Sequence, residues 1–340
     1  MSNNRRFLLV LVAVLALVAA ACGGGDSTTQ TSAQGGEGGG EVTVTGSSTV
    51  EPISARVAEK FNQDNPDVAI SVDGPGTGDG FEIFCSGGAD ITDASRPIKE
   101  EEIQACEDAG IEFIELKVAI DGLSVVTSTQ NDQVECLSYA DLYALLGPES
   151  VGFDNWSDAQ DLATELGSDT EFPDAPLVVT APGEESGTYD SFVELAFGDI
   201  AEERGQEEEA RPDYQSSPND NVIIEGISGT ETSLGWVGYA FVAGNEGAIK
   251  PLPVDGGDGC VEPTEESISS GEFPLARPLF IYVDAAKAES KQAVADYVDL
   301  YMSEEGFGAV GEVGYVDLPQ DEIEATQQAW ENRETGTREG

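Results

Sequence analysis

An α/β fold is predicted for this chain of 340 residues from three observations. Short β-branched runs alternate with stretches of helical apolar spacing. With 39% apolar residues, a chain of this length can bury a sizeable core, arranged as two domains or one large one. Strand ends also pass repeatedly into helix starts through hydroxyl residues, as α/β connections do.

The first 22 residues lie outside that core. Arg5-Arg6 is a basic leader, Phe7 to Ala20 is apolar, and small residues at Ala19-Ala20-Ala21 precede Cys22. This is the pattern of an export signal. The apolar run is short for a membrane-spanning helix, and glycines rather than charges follow it. Val18 to Cys22 resembles a bacterial lipobox, which implies that Cys22 is diacylated and becomes the new N-terminus. The alternative is a soluble secreted chain cleaved near Ala21. Residues 23–40, rich in Gly, Ser, Thr and Gln, predict a flexible tether from membrane to domain.

Beyond the tether the elements alternate. Val42 to Thr45 predicts a strand, and Val50, Ile53, Val57, Ala58 and Phe61 give Thr49 to Asn62 helical spacing. Val68 to Val72 is a second strand, Phe81 to Phe84 begins an amphipathic stretch, and Ala89 to Thr92 is a third strand. Ile111 to Leu116 and Leu123 to Thr127 predict two more. Tyr139 to Leu145, Ala159 to Leu166 and Tyr189 to Phe197 read as helices, with a strand at Leu177 to Thr180. Asn221 to Ile227 closes a helix, and Gly235 to Tyr239 and Leu279 to Val283 are strands. Lys287 to Met302 is the clearest helix, with one apolar side. The acidic runs Glu202 to Glu209 and Glu265-Glu266 read as solvated surface.

Charge narrows the function. The chain has 15 Lys+Arg, 66 Asp+Glu and no histidine, for a net charge of −51. A His-based catalytic triad, a His-ligated zinc and a His-held haem are thereby excluded. Nucleic acid is not an expected partner, because 15 scattered cations do not form a counterion-releasing stripe. Removing the signal segment leaves 13 cations against 66 acids, or −53. Such a surface repels itself unless salt screens it, so a saline habitat is one expectation and an ordinary acidic exported protein the other.

Cys22 aside, Cys85, Cys106, Cys136 and Cys260 form an even set in an exported chain, the arithmetic of structural disulfides. None of them are close enough in sequence for a CxxC redox pair or a metal knuckle. Of the three possible pairings we favour Cys85 with Cys106, bracing one segment, and Cys136 with Cys260, closing a long loop.

Three strand-to-helix junctions carry hydroxyls: Gly46-Ser47-Ser48-Thr49, Asp93-Ala94-Ser95-Arg96-Pro97 and Glu185-Ser186-Gly187-Thr188. The first turn of a helix has unpaired N–H groups and about half a positive charge, so it attracts anions. Hydroxyls add donors, and glycine lets the backbone approach the anion. One such junction is ordinary N-capping; three at corresponding points of an α/β pattern point to an oxyanion.

These junctions, with Asp90 to Ile98, Ile120-Asp121-Gly122-Leu123, Gly235 to Tyr239 and Phe273 to Tyr282, resemble the phosphate-binding proteins of high-affinity phosphate ABC transporters over residues 41–318. The resemblance implies a two-domain type II periplasmic-binding-protein fold with its ligand in the interdomain cleft. It implies domain 1 at 41–125 plus 246–340 and domain 2 at 126–245. The implied ligand set is Ser48, Thr49, the Val50 amide, Thr77, Ser95, Arg96, Asp121, Ser186, Gly187 and Thr188. One branch of the family carries an arginine shortly before the Ser-Gly-Thr. Pro182, Gly183, Glu184 and Glu185 stand there instead, so Arg96 is the expected two-pronged donor, with Asp121 orienting it or accepting the proton of hydrogen phosphate.

The implied partners are inorganic phosphate, ABC permease subunits and, through the lipid anchor, the membrane. The implied form is a monomer with no cofactor and no metal, and ATP hydrolysis belongs to the partner system, since the chain lacks a Walker motif. Three alternatives stand beside this reading. They are an exported phosphatase, which would need a base that is missing here, an anchored signalling or adhesion protein of the same fold, and a binder of another tetrahedral oxyanion.

Overall fold

Val42 and Val44 alternate with threonines and are both fully buried, which fixes β1 (Glu41–Gly46) as an inner strand. The structure is a computed structural model and describes residues 40–184, 186–245 and 247–338. The signal segment, Cys22 and nearly all of the tether lie outside the described residues.

β1 pairs in parallel with β2 (Ala69–Asp73) on one side and β3 (Ile91–Ala94) on the other. The crossovers are the helices α1 (Glu51–Asp64) and α2 (Thr77–Cys85), α1 burying Ile53, Val57, Ala58 and Phe61 as its spacing predicts. Then follow β4 (Phe113–Ser128), β5 (Leu137–Ser138), β6 (Val178–Ala181), β7 (Gln215–Ser216), β8 (Ser233–Gly238), β9 (Ile249–Pro251), β10 (Val254–Asp255), β11 (Cys260–Val261) and β12 (Ala276–Asp284). The main sheet runs β2-β1-β3-β12-β4-β8-β6-β7, with β9 also on β4.

β4 is the correction that matters most. The sequence predicts two strands, at 111–116 and 123–127, with Asp121-Gly122 between them. The chain forms one strand of 16 residues. Its first part, through Gly122, pairs with β12, and from Leu123 onward it pairs with β8. The strand changes partner without turning, so one half of the sheet hands over to the other along a continuous backbone. Gly122 is required there, because a Cβ would come within 2.7 Å of the Ile268 side chain. β9 pairs with Val126 to Ser128 and β10 with β5, so residues 249–261 stay with the second half, and the chain re-enters the first along β12.

Two helices also differ from expectation. Lys287 to Met302 is divided into Ala285–Ser290 and Gln292–Tyr301, because Lys291 leaves helical geometry at φ −111°, ψ 101°. Its ammonium is held 2.8 and 3.0 Å from the buried Asp90 carboxylate, which Lys287 also faces. The helix α3 (Glu100–Ala109) had no apolar periodicity to announce it, since Cys106 is its one buried residue. Its signals are instead three glutamates in the first turn and left-handed Gly110 as C-cap.

Both favoured disulfides are present. Cys85–Cys106 ties α2 to α3, and Cys136–Cys260 ties the segment before β5 to β11. The acidic stretches 202–209 and 265–266 are largely exposed, as expected of solvated surface.

Candidate functional site

The carboxyl ends of β1 and β3 lie side by side, with Gly46 in register with Asp93. The loops leaving them therefore converge. The Ser47 amide donates to the Asp93 carbonyl at 2.9 Å, and the Gly76 amide to the Gly46 carbonyl at 2.8 Å. Gly46 has φ +133°, and a Cβ there would strike the Asp93 carbonyl at 2.1 Å, so only glycine allows the loops to meet so closely. Thr77 opens α2 beside Ser95. Their hydroxyls are 3.0 Å apart, and the Ser95 amide donates to the Thr77 Oγ1.

The turn 48–50 leads into α1. The Ser47 Oγ accepts from the Thr49 amide at 3.2 Å, and the Val50 amide donates to the Ser47 carbonyl. The hydroxyls of Ser48 and Thr49 are thus left to reach across to the other half. Ser48 Oγ donates to the Asp190 carboxylate at 2.7 Å, and Thr49 Oγ lies 3.0 Å from Ser191 Oγ.

Asp190 and Ser191 belong to the helix Gly187–Arg204, which Ser186 caps by accepting the Thr188 amide. Its first residue presses on the facing turn: a Cβ on Gly187 would stand 3.2 Å from the Ser48 carbonyl oxygen and from the Thr49 Cα. The N-terminus of this helix and the turn before α1 therefore meet head to head, with the expected hydroxyl residues on both sides.

Arg96 is engaged by its own segment, although Glu194 of the facing helix lies within its electrostatic reach. Its guanidinium forks onto Glu102 at 2.7 and 2.9 Å and caps the Pro97 carbonyl. Glu102 also receives the Lys99 amide, so the pair closes the start of α3. Asp121 does not orient Arg96. Its arginine is Arg277, which stands directly opposite it in the β4–β12 ladder, with Nε 3.7 Å from Oδ2. The cause is the unbroken β4: with Asp121 inside a strand, its partner is set by register.

Arg277 is 7% exposed. Nη2 donates to Ser191 Oγ at 2.9 Å and lies 3.5 Å from Thr49 Oγ1, and Nη1 meets Glu194 at 2.5 Å. Sequence reasoning passed over this residue because it lies in an apolar run, Phe273 to Tyr282. An arginine between alanine and proline on a buried strand was the available signal.

Burial pushes the Asp121 carboxyl up from its ordinary value, with Arg277 and the Ser191 hydroxyl opposing the shift. Asp93 is raised further, because it is wholly buried with only Ser54 to support its charge, at 2.9 Å. Among the described residues no group of three His, Cys, Asp or Glu stands where it could hold a metal ion. Nor, among them, is any helix long and apolar enough to cross a membrane.

The fold is shared with known proteins. A family model described as a PBP superfamily domain matches residues 31–305. Protein SphX of Synechocystis is 35% identical over 298 residues, covering 87% of this chain and 84% of that one. The phosphate-binding protein PstS of Staphylococcus saprophyticus is 33% identical over 284 residues, with 83% and 81% covered. The crystal structure of a possible phosphate binding protein from Planctomyces limnophilus superposes with a TM-score of 0.79 at 37% identity, over 87% of this chain and 99% of that one.

Proposed function

Since the chain belongs to the PBP superfamily, with SphX and the phosphate-binding protein PstS among its relatives, we propose that it captures inorganic phosphate between two domains and delivers it to an ABC permease. The observation that carries the reading is the junction of the Gly187–Arg204 helix with the turn before α1. There the two halves of one sheet bring a helix N-terminus and hydroxyls together beside a buried arginine.

The proposed ligand set is Ser48, Thr49, Thr77, Ser95 and Asp121 from the first half and Ser186, Gly187 and Thr188 from the second. Closure is a hinge motion about the two strands that cross between the halves, β4 and β12. In place of the boundaries that the resemblance implies, 41–125 plus 246–340 and 126–245, we propose a first domain of about 41–122 with 276–338 and a second of about 123–275, a division that the strand pairings support. Aligned amides and hydroxyls suit a tetrahedral oxyanion, and the protein acts as a binder rather than an enzyme. Asp121 supplies selectivity: hydrogen phosphate can donate a proton to a buried carboxylate, whereas fully ionised sulfate would leave two anions facing each other.

Cys22 is the proposed lipid anchor, with residues 23–40 as tether, which puts the domain on the outer side of the cell membrane as a monomer. Calorimetric titration of the ligand-stripped mature protein tests the reading. One-to-one heat with phosphate and none with sulfate, in both low and high salt, is the expected result. A folded sample that gives no heat with phosphate would refute it.

A further inference from the structure

One face of the Gly187–Arg204 helix touches the opposite half over its first two turns. Gly187, Asp190, Ser191 and Glu194 follow the i, i+3, i+4, i+7 spacing of a single stripe. Gly187 abuts Ser48 and Thr49, Asp190 accepts from Ser48, Ser191 meets Thr49, and Glu194 binds Arg277. Arg277 is the one cation in this set, facing Asp121 and Glu194, with Asp190 one turn away from Glu194. An anion approaching Arg277 therefore meets carboxylates that outnumber the guanidinium.

We propose that Arg277 is the cation that holds the captured anion and that Glu194 is its internal placeholder, so that phosphate binds by displacing the Glu194 carboxylate from Nη1. This deepens the phosphate reading and rests on it. The remaining partners of Arg277 are fixed. Asp121 is opposite it in a ladder, and Ser191 and Thr49 are buried. Glu194 differs, because its side chain is 44% exposed and can turn outward at little cost.

It also has a second place to go. Glu194 is near enough to Arg96 to strengthen that guanidinium's hold on its proton, after the larger effect of Glu102. A carboxylate leaving Arg277 therefore stays within the field of a neighbouring cation. The exchange swaps one charge-assisted contact at Nη1 for another of better geometry, since a tetrahedral oxyanion can take donors from Arg277, from the hydroxyls and from the helix N-terminus together. A carboxylate anchored on one helix cannot.

The test is the phosphate affinity of the mature protein and two variants, measured by titration calorimetry. Glu194→Gln, on a half-exposed side chain, removes the competing charge and is expected to tighten binding by about threefold or more. Arg277→Lys keeps the charge but loses the fork and is expected to weaken binding by about tenfold or more. Phosphate bound by the wild type, with affinity unchanged or weaker in Glu194→Gln, would overturn the placeholder. Undiminished affinity in a folded Arg277→Lys would overturn the role of Arg277. A wild type that ignores phosphate would sink the phosphate reading itself, and this inference with it.

Discussion

Asp93 is a carboxylate at 0% exposure, with one oxygen bound by Ser54 and the other without a hydrogen-bond partner. Burial raises it well above its ordinary value. A folded-state value above the unfolded one means that the folded chain binds the proton more tightly. The stability it contributes is thus fully present below the unfolded value and is lost as pH rises toward the folded one. Asp93→Asn cannot titrate. In urea unfolding between about pH 4 and neutral, the wild type is expected to lose more stability than the variant. Equal slopes would show that the charge of Asp93 is compensated. At this scale the sequence was legible in part. Ser48, Thr49, Ser95 and Ser186 stand out at strand-to-helix junctions, whose chemistry is local, whereas Thr77 came only with the family resemblance. Arg277 and its pairing with Asp121 did not, because a ladder partner 156 positions away is a product of register rather than of neighbourhood.

Elements are braced by covalent links of very different span. Cys85–Cys106 has a sequence separation of 21 and Cys136–Cys260 one of 124. In the chain-entropy view a longer loop constrains the unfolded chain more, about 3 kcal/mol for the short link and about 4–5 kcal/mol for the long one. Replacing Cys136 and Cys260 by serine is expected to cost more in denaturant unfolding than replacing Cys85 and Cys106. The reverse order would locate the stabilisation in local packing around α2 and α3 instead. Strong periodicity predicted elements well, as in α1 and the inner strands. It failed where another force set the boundary. The Lys291 break belongs to a buried carboxylate reached from outside the helix, and α3 packs little more than a cysteine. The 16-residue β4 differs from the two strands that the apolar runs 111–116 and 123–127 predict, because β12 pairs with its first part and β8 with its second along one continuous backbone.

For the whole molecule, the charge of −51 is the dominant long-range term. At low ionic strength exposed carboxylates repel over distances near the Debye length, about 10 Å at 0.1 M salt, and this repulsion opposes the compact state. The melting temperature is expected to climb steeply from low to molar salt, and a flat response would refute the saline expectation. Phosphate affinity should fall far less over that range, because contacts inside a closed cleft are weakly screened. The central claim is that the anion is held where the two halves meet. A crystal structure grown with phosphate tests it most directly. The account predicts one phosphate touching Ser48 or Thr49 on one side, the Ser186–Thr188 amides on the other and the Arg277 guanidinium, with Glu194 turned away. Phosphate bound outside this junction, or contacting only one half, would contradict it.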